Sequence, residues 1–395
     1  MKIFFGLCLL LTIGVGVAQE TVVALGELPQ RVSETSGLLF FNDRILTHND
    51  SGGEALLFEL DTVSLEITRT VTITNAMNTD WEAISQDEEY IYIGDFGNNL
   101  GMRQDLVIYR IAKEDYLDND TAAAEAIFFS YQDQTDFEDN GNSDWDAEAF
   151  FVLADELIVL TKQWKSLGTV AYALPKTPGT HSAIRRGAVE NIGLVTDVDY
   201  NLADNTLFVL GYSSFLMPFA RTYELSDSNI FSENFGIIPL EIGLAQVEGV
   251  TNDGAGNYFI SSEFFSRQSP NIVSLSRLFR FAQIEEEEQE EPAEEESGGE
   301  SEQEEEPNPG SLPDENKEEL LIFNEVGTGT IRYSITSQSP INGTRIYDVN
   351  GKTIWEQFNT DIQKDGIVSQ YIPTSIYYFV VYFNNSVRSK AFVVY

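Results

Sequence analysis

Residues 81–111 read WEAISQDEEYIYIGDFGNNLGMRQDLVIYRI. Glu82 opens a short apolar run, Asp87–Glu89 make a turn, and Tyr90–Gly94 form a strongly apolar strand. A Gly/Asn turn then leads to a third strand at Val107–Ile111. Runs of Val, Ile, Tyr and Phe punctuated by Asp, Asn and Gly are strand-and-turn chemistry. The layout recurs in four further segments: ETSGLLFFNDRILTHNDSGGEALLFELD from Glu34, EAFFVLADELIVLTKQWKSLGTVAYALP from Glu148, DYNLADNTLFVLGYSSFLMPFARTYELS from Asp199, and EGVTNDGAGNYFISSEFFSRQSPNIVSLSRLFRFA from Glu248. The leading acids stand 48, 66, 51 and 49 residues apart. A period of this size is the mark of a repeat architecture.

Each of the first four units carries a candidate fourth strand: Leu65–Ile73, Ala126–Tyr131, Arg185–Ile192 and Ile237–Ile242. The fifth has none, while Thr21–Leu25 (TVVAL) is a strand without a unit. Supplying the last blade's fourth strand from the opposite end of the chain closes a β-propeller and removes its open edges. The fold expected for residues 19–283 is therefore an all-β, five-bladed β-propeller. A sixth blade would have to come from the 66-residue spacing, whose DQTDFEDNGNSD reads instead as a long loop. The competing architecture, one or two β-sandwiches, explains neither the period nor the unassigned strand.

Outward from the repeats the composition changes. Residues 285–319 hold eighteen acidic residues and one lysine, a local charge of −17 within a total of −41. With Pro and Gly breakers and almost nothing to bury, residues 284–319 are expected to be a disordered acidic linker. Residues 1–18, MKIFFGLCLLLTIGVGVA, have the charged, apolar, small-residue order of a secretory signal peptide. The run is shorter than the ~20 residues a spanning helix needs, and no other stretch is long and apolar enough to cross a membrane. Residues 320–395 alternate strands and turns, with Asn350–Gly351 as a hairpin signal, and fit a small antiparallel β-sandwich.

The charge balance excludes nucleic-acid binding by a basic face. Only His48 and His181 are present, so a multi-histidine zinc or iron site cannot be assembled. The single cysteine, Cys8, lies in the signal, so its removal excludes disulfides and thiolate chemistry. His48, in THNDSGG, is expected to be a solvated turn residue rather than a base.

In a propeller the acids heading each innermost strand would ring the channel mouth: Glu34, Glu82, Glu148, Asp199 and Glu248. Asp80, Asp144, Asp146 and Asp197 crowd the same entrances. A second recurring position follows the next strand, at Asn49–Asp50, Asp95, Lys162, Tyr212 and Glu263. Trp81, Trp145 and Trp164 are candidate stacking faces beside Asp50 and Asp95 for a carbohydrate or other small ligand. Three readings stay open. The acids could cap backbone N–H groups of neighbouring blades. They could converge on a hard cation, where an all-oxygen set selects calcium or magnesium. Two of them could act as acid and base or nucleophile, as in glycoside hydrolysis.

The segments DWEAI, YIYIGDFGNN and DAEAF resemble those of exported bacterial propeller proteins. Glu-Gly-Val at 248–250 is similar to the Glu-Gly-Ile of the esterase-like phytase propeller family, which implies phosphoester or ester hydrolysis in a calcium-dependent setting; the basic cluster phytate would need is absent. The C-terminal segment resembles the sorting domain of type IX secretion cargo. The residues carrying that likeness are Ile346–Lys352 (IYDVNGK), the strand start from Ile372-Pro373 to Tyr377-Tyr378, and Lys390. It departs at Ser375-Ile376, where the family has glycine, and Asn308-Pro309 is displaced into the linker. The likeness implies passage through the outer-membrane secretion machinery of a Gram-negative bacterium, removal of the domain, and release or anchoring at the surface.

Overall fold

The computed structural model describes residues 19–284 and 319–394, apart from 140, 215, 227–228, 269–270, 326–329, 338–339, 349–351, 359–363, 369, 371, 374 and 384–386. The expected signal segment and residues 285–318 of the expected acidic linker lie outside the described residues, as does the Asn350–Gly351 turn; the end residues of that linker, Ile284 and Glu319, fall in strands.

The β-propeller is built from five four-stranded antiparallel units. Blade 1 holds Thr35–Phe41, Arg44–Asn49, Leu56–Asp61 and Ile67–Ile73; blade 2 holds Trp81–Gln86, Tyr90–Asp95, Val107–Ala112 and Ala124–Tyr131. Blade 3 holds Asp146–Leu153, Glu156–Lys162, Thr169–Pro175 and Gly179–Val189; blade 4 holds Leu194–Asn201, Thr206–Tyr212, Pro218–Ser226 and Asn229–Pro239. Blade 5 is Val247–Asn252, Asn257–Ser262, Arg277–Ile284 and, from the other end of the chain, Gln19–Glu27. That last strand pairs from Gln19 opposite Ile284 to Glu27 opposite Arg277. The innermost strands pack blade 1 on 2, 2 on 3, 3 on 4, 4 on 5 and 5 on 1, closing the ring. The loop over DQTDFEDNGNSD contains no strand among the described residues.

Burial follows the same count. Five apolar clusters each fill the gap between two adjacent blades. Leu46 and Leu57 meet Ile91 and Ile93 between blades 1 and 2, and Tyr92 and Ile108 meet Phe150 and Val159 between 2 and 3. Ile158 meets Leu207 between 3 and 4, Phe208 meets Phe279 and Phe281 between 4 and 5, and Phe58 meets Phe259 between 5 and 1. Each such side chain contributes about 1.5–3 kcal/mol of burial, so cohesion lies between blades rather than within them.

Two features depart from the simple repeat. The outer strands of blades 2 and 3 pair in parallel, Ile127–Tyr131 against Gly179–Ala183, joining the two blades into one eight-stranded sheet. A helical turn, Lys113–Asp118, precedes a short strand, Thr121–Ala122, that extends blade 1.

The C-terminal segment forms two sheets: Glu319–Glu325, Thr330–Thr336 and Asp365–Val368 in one, and Thr353–Gln357, Ile341–Asp348, Ser375–Phe383 and Val387–Val394 in the other. Tyr333, Ile346 and Phe379 fill the core they share. No helix among the described residues is long and apolar enough to cross a membrane.

Candidate metal centre at the channel mouth

Every innermost strand carries one β-bulge, four or five residues before its end. The extra residues are Gly37, Glu82, Glu148, Thr196 and Glu248. A bulge re-aims the side chain it inserts, and in blades 2, 3 and 5 that side chain is a glutamate. Glu82, Glu148 and Glu248 are thus equivalent and buried.

The expected five-acid ring is corrected in the other two blades. Glu34 lies three residues before the bulge, outside the strand and exposed, yet it stays at the rim of the mouth: its backbone carbonyl accepts from Asp50 N–H, and its charge adds to the burial that raises Asp50 and Glu263. Asp199 lies three residues after it, towards the other end of the channel, where its carboxylate accepts from the Asn252 amide. Burial raises Asp199 to about 6. In blade 1 the bulge must be glycine: Gly37 has φ +72°, and a Cβ there would lie 2.9 Å from Ala83 Cα of blade 2.

Asp50, Asp80 and Glu82 each offer a carboxylate oxygen, and the three oxygens lie within 4.8 Å of one another. Their positions are built by neighbouring groups. Asn78 Nδ2 donates to the carbonyls of Asn49 (3.0 Å) and Asp50 (2.7 Å), tying blade 2 to blade 1. Asp95 accepts from the N–H groups of Thr79 and Asp80 and pairs with Arg103 at 2.8 Å. Asp95 is 1% exposed and therefore holds the Asp80 turn rather than facing a ligand. Gly97 packs so close to Glu82 Oε1 and Asp80 Oδ2 that a Cβ would collide with both.

A wider shell surrounds this trio. Asp146 accepts from Asn98 N–H (2.5 Å) and Trp164 Nε1 (2.7 Å). Lys162 pairs with Glu148 at 3.1 Å, both 5% exposed, and lies against the rings of Trp164 and Tyr212. Crowded carboxylates in a water-poor site favour protonation. Burial raises Glu82 well above the usual range, with Glu148, Asp50 and Asp80 adding to the effect. Burial also lifts Glu148 strongly, although Lys162 opposes it. Asp80 and Glu248 are each pushed up to about 7, and Glu263 to about 9, burial being the largest cause in all three. Two acceptors near these groups, Asn49 Oδ1 and Gln246 Oε1, are buried with no hydrogen-bond partner among the described residues.

The tryptophans divide. Trp81 is completely buried, with Nε1 donating to Met77 C=O, and offers no stacking face. Trp164 is engaged by Lys162 and Asp146. Trp145 lines two open clefts outside the channel. His48 is also corrected: it is fully buried, edge-on to Trp81 at 5.5 Å, and burial lowers it to about 4, so it is a neutral core residue.

Arg103, Asn78 and Gly97 were not singled out by sequence reasoning. The bulge position could have been found by counting back from each hairpin turn, which separates Glu82, Glu148 and Glu248 from Glu34 and Asp199.

No protein-family model matches the chain, and no curated protein does. Solved structures similar to it include a candidate gluconolactonase (TM-score 0.36, 8% identity, covering 68% of this chain and 93% of that one). A protein of unknown function from Bacteroides thetaiotaomicron scores 0.37 at 10% identity, covering 67% and 76%. A candidate 6-phosphogluconolactonase from Bacteroides uniformis ATCC 8492 scores 0.33 at 11% identity, covering 62% and 73%. Likenesses this distant carry no inference about activity or ligand.

Proposed function

We propose that the protein is an exported propeller that binds a divalent cation, calcium foremost, at its channel mouth and presents that cation to a small ligand. The observation that carries this reading is the convergence of the Asp50, Asp80 and Glu82 oxygens within 4.8 Å. Calcium takes six to eight oxygens, and Asp50, Asp80 and Glu82 offer three carboxylates towards that number. A bound cation would relieve the mutual repulsion that now favours protonation. Export rests on the signal-like segment at 1–18, and delivery to the outer surface of a Gram-negative bacterium on the sorting-domain resemblance. Terbium, a calcium substitute excited through Trp164 and Trp81, tests the site. Sensitised emission displaced by calcium and lost in Asp80→Asn and Glu82→Gln is the expected result. Emission unchanged by both substitutions would refute it.

A second reading, a metal-assisted or carboxylate hydrolase, is favoured by Glu263. Held at about 9, it keeps its proton at neutral pH beside more acidic carboxyls and so suits a general acid. A glycosidase, phosphoesterase or esterase activity found in the protein should fall at least 100-fold in Glu263→Gln without loss of fold.

A further inference from the structure

The seam between blades 2 and 3 ends at Tyr131 opposite Ala183. Just beyond it opens a cleft of about 560 Å³, walled by Trp145, Tyr172, Gln163, Arg185, Glu190 and Asn191. Small-ligand pockets commonly span about 300–1,000 Å³. Tyr131 backs the aromatic wall, 5.5 Å from Trp145 and 4.6 Å from Tyr172 between ring centroids. Trp145 is also a wall of a second cleft, of about 160 Å³, bordered by Leu100, Asp136 and Lys165.

We propose that these paired clefts bind a neutral saccharide, with successive sugar units on either side of Trp145. A pyranose has apolar C–H faces and a rim of hydroxyls that both donate and accept. An indole supplies a surface for the first, and carboxamide, guanidinium and carboxylate groups supply partners for the second. The side chains of Gln163, Arg185, Glu190 and Asn191 make no hydrogen bond to other described residues, so they meet the cleft with their capacity unspent. Asp133, Asp144 and Glu190 outnumber Arg185 there, which disfavours a phosphorylated ligand. Pairing of the two outer strands removes the free edge that an extended peptide would need. The site lies outside the channel mouth and does not depend on a cation there.

The test is the full chain on a glycan array, followed by tryptophan-fluorescence titration with the array's best hits and with cellobiose, maltose, xylobiose and laminaribiose. We expect at least one neutral glycan to bind, and Trp145→Ala and the exposed Arg185→Ala each to weaken it at least tenfold with an unchanged circular-dichroism spectrum. Should Trp145→Ala fail to fold, Arg185→Ala together with Gln163→Ala decides. Absence of binding to any neutral glycan, or binding that both folded variants leave intact, overturns the proposal.

Discussion

Among the described residues, Lys162 is the one ammonium amid the mouth's buried carboxylates, and its contact with Glu148 decides what its removal does. Lys162→Met leaves Glu148 without its counter-charge. Breaking a buried pair from one side costs about 3–5 kcal/mol, so denaturant unfolding at pH 8 should show a loss of that order. The loss should shrink at pH 5, where Glu148 can take up a proton. An equal loss at both pH values would mean that Lys162 acts through packing alone. Gly97 makes a second prediction at this scale. Gly97→Ala pushes a methyl group into Glu82 and Asp80, so calorimetry should record at least tenfold weaker calcium binding with the fold kept. Unaltered affinity would place the cation elsewhere.

Among elements, the N-terminal strand carries the closure. Deleting residues 19–27 strips blade 5 of its outer strand and leaves Arg277–Ile284 as a bare edge. We expect a melting temperature lower by more than 10 °C, or aggregation, read by thermal unfolding with light scattering. Unchanged stability would deny the strand its role in closing the ring. This strand was legible in the sequence because TVVAL had no hairpin partner nearby and the fifth unit lacked a fourth strand. The blades themselves were legible from periodicity, since apolar strands between Asp/Asn/Gly turns recur at intervals of 48, 51 and 49 residues, broken only by the 66-residue spacing that holds the long loop. The bulges do not show in composition, because an inserted residue shifts the frame without altering it; only counting back from each hairpin turn locates them. Glu34 and Asp199 consequently stood in for Gly37 and Thr196. The parallel seam between blades 2 and 3 was equally invisible, as it joins residues some fifty positions apart with no shared pattern.

For the whole molecule, the raised carboxyls fix how stability depends on pH. Asp80 and Glu248 at about 7 and Glu263 at about 9 lie above the ordinary 3.9–4.3 of the unfolded chain. The folded state therefore binds more protons, and the stability these groups contribute is complete below about pH 4 and is lost as pH rises through 7 to 9. Chelator-treated protein should lose melting temperature steadily between pH 6 and 9, and excess calcium should flatten that decline because it replaces the protons. A chelator-treated protein that gains stability across this range would contradict the electrostatic account.

The most direct test of the cation site is thermal unfolding of the chain and of its Glu82→Gln variant, each in chelator and in millimolar calcium at pH 7.5. The acidic linker is common to both, so any contribution from it cancels. At a calcium concentration a hundredfold above the dissociation constant, stabilisation is about 2.7 kcal/mol, which for a domain of this size is roughly 5–10 °C. A rise of that size in the parent chain, absent from Glu82→Gln, is the predicted result. No rise in the parent, or an equal rise in both, would contradict a cation held at the channel mouth.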